Sequence, residues 1–131
     1  MGDRSYGFGR TLSVEFDEAK GRVEAALKEQ GFGILTEIDV KKTLKEKLGV
    51  EFRRYAILGA CNPPLAHRAL ETEEEIGLLL PCNVIVYETA PGRTKVSAVD
   101  PDAMVAMTGN AALADVAAEA KVRLQRALDS L

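Results

Sequence analysis

The chain has 131 residues, 47% of them apolar and 28% charged, with a formal net charge of −3. That length suits one domain over residues 1–131, able to bury roughly 65–70% of its unfolded surface, and the balance excludes a disordered tail or a fibrous repeat. The negative charge argues against a general binder of nucleic acid or membrane surfaces, and two cysteines are too few for a disulfide scaffold.

The first residues, Met1-Gly2-Asp3-Arg4-Ser5-Tyr6, lack the apolar core of a signal peptide. The greasiest run, Ile76 to Val86, is broken by Pro81 and Asn83 and falls short of the roughly 18 residues of a membrane span. A soluble cytoplasmic protein with reduced thiols is expected. Tyr6, Phe8, Leu12 and Val14 alternate with small or polar residues, the period of a strand with one buried face. Phe16, Ala19, Val23, Ala26 and Leu27 then form a helical stripe that Gly31 closes. Phe32 to Ile38 reads as a second strand. Asp39 caps a short helix from Val40 to Leu48, stopped by Gly49, with Val40, Leu44 and Leu48 along one side and four lysines on the polar side.

A third strand is expected over Phe52 to about Ala60, setting Arg53 and Arg54 on opposite faces. Asn62 as N-cap and Pro63 as first helical residue start a helix through Glu71, and Thr72 with Glu75 has the spacing of a capping box for a further turn. Val84 to Glu88 and Thr94 to Val99 form a hairpin around Pro91-Gly92, which suits a type II turn. Asp100-Pro101 ends the second run, and Met104 and Met107 read as gap-filling core. Asn110 caps a last helix to about Leu128. The order points to an α+β fold: a single, mostly antiparallel sheet of about five strands with two long helices on one face. The other face of such a sheet exposes apolar residues. Pairing through it or through an edge strand predicts a homodimer.

Cys61-Asn62-Pro63-Pro64-Leu65-Ala66-His67-Arg68-Ala69-Leu70 and Gly77-Leu78-Leu79-Leu80-Pro81-Cys82-Asn83-Val84, with Gly31-Phe32-Gly33, Glu37-Ile38-Asp39 and Asp100-Pro101, resemble the domain of unknown function 302 family. The resemblance covers nearly the whole chain. It implies an α+β fold of TATA-binding-protein-like topology and commonly a dimer, and it brings no catalytic residues with it.

One constellation could carry chemistry. Cys61 precedes a helix N-terminus, Cys82 opens a strand 21 residues on, and His67, the only histidine, lies between them. A helix N-terminus favours a thiolate, and sulfur with imidazole suits zinc or copper(I). Yet a 21-residue gap does not bring two sulfurs together by local geometry, and free cysteine is often a small core hydrophobe. The candidate pocket is Cys61, Asn62, His67, Cys82 and Asn83, with Glu37, Asp39 and Asp100 at strand ends on the same rim. Cys61, His67 and Cys82 are weak metal candidates, and no cofactor is indicated. Pro63 and Pro64 remove donors that a phosphate cradle would need. The lysine face of residues 41–47 and the run Glu73-Glu74-Glu75 read as solvated surface. The expected function is a homodimeric binding or accessory module with a small-molecule pocket near the Cys61–His67 helix, without nucleic-acid or membrane partners. The alternative is a thiol- or metal-dependent enzyme or redox sensor built on Cys61, Cys82 and His67.

Overall fold

The computed structural model describes residues 5–131. The first four residues of the stretch read above for a signal core, 1–4, lie outside them. Five strands, β1 (Gly7–Leu12), β2 (Gly33–Asp39), β3 (Tyr55–Cys61), β4 (Cys82–Ala90) and β5 (Arg93–Val99), form one sheet in the order β1-β5-β4-β3-β2. Every neighbouring pair is antiparallel, as expected, and the topology is compatible with the TATA-binding-protein-like class. Gly92, at φ +73, makes the turn of the β4–β5 hairpin.

The alternation of period two sends Ala56, Leu58, Val84, Val86, Val96 and Ala98 to one face. Two long helices cover that face, α1 (Phe16–Glu29) and α5 (Ala114–Asp129). The stripe of α1 is buried as its spacing requires, and α5 adds Leu124, Ala127 and Leu128 to the same core. Arg10 of β1 donates to the carbonyls of Leu128 (3.1 Å) and Asp129 (3.3 Å), two of the groups that a helix C-terminus leaves without partners. Asp39 caps α2 (Val40–Leu48) through the Lys42 N–H, and Gly49 ends it at φ +68. No residue of α2 is buried. Its lysines face carboxylates: Lys45 pairs with Glu51 at 2.7 Å and Lys42 with Glu46 at 3.9 Å.

A second, smaller core lies beyond the first. It joins α3 (Pro63–Thr72), a 3₁₀ turn over Glu74–Leu79, and the first half of α5 through Leu65, Ala69, Ile76, Leu113, Val116 and Ala120. Between β5 and α5 the chain forms α4 (Pro101–Thr108), a helix the sequence reading omitted. Its start and stop signals are all there. Asp100 caps it, Pro101 opens it and Gly109 closes it at φ +67. The residues between are so uniformly apolar that they show no amphipathic period, and Met107 is 76% exposed rather than core. Other corrections are local. Thr72 donates its hydroxyl to the Arg68 carbonyl within α3, so it caps nothing downstream. β3 begins at Tyr55, so Arg53 and Arg54 precede it; Arg54 lies over the Phe16 ring and makes a two-pronged bond to Asp17. Asn110 caps the 3₁₀ turn Ala111–Leu113, which leads into α5.

Gly59 of β3 has no room for a side chain. A Cβ there would overlap Thr36 Oγ1 and lie 2.8 Å from Pro81 Cγ. Gly59→Ala is therefore expected to destabilise the fold by about 1–3 kcal/mol in urea unfolding, with part of the loss recovered by adding Thr36→Ala. Wild-type stability in the single variant would refute this packing.

Candidate functional site

β3 and β4 end side by side, with Ala60 opposite Cys82. Immediately after β3, Asn62 turns the chain into α3. Its Oδ1 accepts from the Leu65 N–H (3.3 Å) and its Nδ2 donates to the Gln30 carbonyl (3.5 Å). Asn62 is 7% exposed, so this one side chain both caps α3 and ties it to the end of α1. The prolines at the first two helical positions have no N–H to offer, and the cap takes the next. The start of α3 is thus closed as an anion site.

Where the two cores meet they do not fill the space between them. A cavity of about 270 Å³ runs along the seam. The sheet contributes Ala60 and Cys82, with Phe32 just before β2; α3 contributes Leu65, Ala66 and Ala69, and α5 contributes Val116, Ala117 and Ala120. Pro101, Met104 and Val105 of α4 form the opposite wall. Alanine pairs spaced i, i+3 on α3 and α5 leave the room, because those helices pack on each other with methyl groups where larger side chains would meet. That spacing was readable in the sequence but had been absorbed into the helical stripes.

Cys61, Asn62 and Cys82 line this cavity, and so do Pro81 and the start of α3. The other candidates are elsewhere. His67 points to solvent, its side chain 74% exposed and its Nε2 3.6 Å from Glu71 one turn on. Asn83 is exposed on the opposite face of the sheet. Glu37 pairs with Lys20 at 3.0 Å. Asp39 is engaged as the cap of α2. Asp100 caps α4 and accepts from Lys121 at 3.0 Å. The three carboxylates therefore hold helix ends and ion pairs and do not converge with the thiols. Strand alternation and cap duties send them apart. Among the described residues, no three His, Cys, Asp or Glu side chains stand together as a metal site.

Burial pushes the Cys82 thiol up to about 11, and the nearby Cys61 adds to the effect. Cys82 is therefore a protonated, weakly polar wall residue at neutral pH, not a ready nucleophile or ligand. Both cysteines are free.

Two outcomes test this description. In a Cys61→Ala background at pH 8, Cys82 is expected to react with an aromatic disulfide reagent at least about tenfold more slowly than an exposed thiol, because burial holds it protonated, and to speed up in denaturant. Equal rates in native and denatured protein would refute it. Because folding favours the protonated thiol, its contribution is complete below about 9 and is lost as pH rises toward about 11, a fall of about 2–3 kcal/mol that Cys82→Ala should lack. Separately, Asn62→Ala should cost about 1–2 kcal/mol. Asn62→Asp, which keeps the acceptor for Leu65 but not the donor for Gln30, should recover only part of that loss. Full recovery would mean that the bond to Gln30 contributes nothing.

No curated protein matches the chain. Among solved structures it is similar to an uncharacterized conserved protein DUF302 from Bacillus stearothermophilus, with 35% identity, 96% of this chain and 98% of that chain covered, and a TM-score of 0.88. Residues 8–131 match the family described as Domain of unknown function DUF302, nearly the whole chain, and the chain belongs to that family.

Proposed function

We propose that the chain is a soluble, cytoplasmic, homodimeric binding module, one domain over residues 1–131, whose ligand site is the cavity between the two cores. The cavity itself carries the reading. Its walls are apolar, its one side-chain amide accepts from Leu65 and donates to Gln30, and no cationic side chain lines it. Apolar walls in contact with water are unfavourable in proportion to their area, so an apolar occupant is favoured. A charged one would be desolvated without a partner. By comparison with the roughly 150 Å³ engineered cavity that holds benzene, 270 Å³ accommodates a ligand of about ten heavy atoms. The ligand class is a small neutral hydrocarbon-like molecule or the apolar end of a larger one. A thiol or metal enzyme finds no support in this site, since Cys82 is held protonated and His67 lies outside it.

Thermal shift and calorimetry with naphthalene, 1-octanol and octanoate test the proposal. The two neutral probes should bind one per chain and raise Tm, and octanoate should bind at least about tenfold more weakly for want of a counter-charge. Ala66→Leu, at a half-buried position on the wall, should fill the cavity and abolish probe binding while the fold persists. Binding that survives this variant, or no binding by either neutral probe, would overturn the assignment.

A further inference from the structure

We infer that the helix-free face of the sheet is a self-complementary interface, in which a second copy of this chain packs sheet on sheet about a twofold axis running along β4. The inference rests on the homodimeric reading above and assigns its contact surface.

β4 is the middle strand of the five, and its Ile85 sits at the centre of the open face. One row crosses the sheet there in register: Ser97, Ile85, Ile57 and Ile38. In the next row Tyr87 lies opposite Tyr55, their rings stacked at 5.1 Å. Ile38 is 48% exposed, and Ile57, Ile85, Tyr55 and Tyr87 are only half-buried. An apolar face of this kind marks an interface rather than a solvated surface.

The two halves of the face differ in shape. Toward β1 and β5 the two central rows carry small residues, Gly9, Thr11 and Ser97, and a depression of about 690 Å³ opens there, bordered by Gly7, Thr11 and Ser97 and by Ile85, Tyr87 and Lys95. Toward β3 they are bulky. A twofold axis along β4 sets each copy's β5 over the other's β3, so that bulk meets space. Ser97 then faces Ile57, and Lys95 faces Tyr55. The last pairing also settles the charge. Lys95 is the one charged side chain among the described residues of these rows, and it comes to lie on an aromatic ring rather than on another lysine. One cation on a chain of net charge −3 does not suit nucleic acid.

The area agrees. Five strands spaced about 4.8 Å apart and about six residues long present a face of roughly 20 by 20 Å. With side-chain relief this is about 600–800 Å², close to the roughly 800 Å² per partner of a stable complex. Edge-to-edge pairing is the weaker route, because β2 carries a bulge between Ile34 and Thr36 and β1 is short and glycine-rich.

Light scattering after gel filtration, with far-UV circular dichroism as a folding control, tests the interface on the full chain. The wild type should be a dimer. Ile85→Lys and Ile85→Glu should each raise its dissociation constant at least about 100-fold, and mixing the two variants should restore a dimer, since residue 85 meets its own copy at the axis. Ser97→Lys, on the small half, should weaken pairing likewise and decides the matter if the Ile85 variants misfold. A dimer indifferent to Ser97→Lys and to folded Ile85 variants would overturn this interface and leave the dimer standing. A wild-type monomer at the highest soluble concentration would overturn both.

Discussion

Three helices are tied to one carbonyl. The Gln30 oxygen, at the end of α1, accepts from Asn62 Nδ2 at the start of α3 and from Arg123 on α5 at 3.2 Å. The next residue, Gly31, turns the chain at φ +85, and a Cβ there would lie 2.9 Å from Asn62 Nδ2 and 3.4 Å from the Arg123 guanidinium. Only glycine combines that backbone conformation with so close an approach. The corner therefore sets the distance between α1, which belongs to the first core, and α3, which belongs to the second. It helps to set the width of the cavity, since α3 and α5 are two of its helical walls.

The chemistry of the cavity follows from the same arrangement. A helix start pinned by an asparagine and two prolines has no donors left to aim inward. A seam padded with alanine methyls has no polar atoms of its own. Within such surroundings a thiol keeps its proton, and Cys82 does. Around the outside, by contrast, charge is dense and mutually paired. Arg54 holds Asp17 below the usual carboxylate range by hydrogen bonding, and Asp100 with Asp102 raises Lys121 on α5. Charge holds elements in place on the surface, and apolar shape governs the interior.

Much of this was legible in the residues, and the division has a physical basis. Local signals with a mechanism survived. Asp39, Asn62 and Gly49 cap or stop helices as their side chains and backbone freedom require, Gly92 makes the hairpin turn, and period two separates Val84 and Val86 from Ile85. Signals that depend on tertiary neighbours did not. α4 has no polar face to reveal its period. His67 lies on a helix whose inward residues are Leu65 and Ala69, so the stripe that buries those two turns the imidazole outward. Glu37, Asp39 and Asp100 cluster at strand ends in the sequence, but strand ends lie at two opposite margins of an antiparallel sheet. The meeting of Cys61 and Cys82 along one wall depended on β3 pairing with β4 at Ala60 and Cys82, a register that no local pattern specifies.

That register also separates the two surfaces proposed for recognition. Ala60 and Cys82 face the cavity, while their neighbours Gly59 and Asn83 are paired on the opposite face of the sheet. One residue along a strand changes the side, and nothing but the backbone lies between. Polar recognition has little to work with in the cavity, and charge has little on the open face. The buried side-chain donors and acceptors among the described residues all have partners, and the open face carries a single lysine in its three rows. Specificity must then come from volume, from the alternation of bulky and small residues, and from the area removed from water, which discriminate by fit more than by charge. A sheet with one face against helices and the other bare supplies both kinds of fit, a recess between helices for the proposed small molecule and an open face for the proposed second sheet.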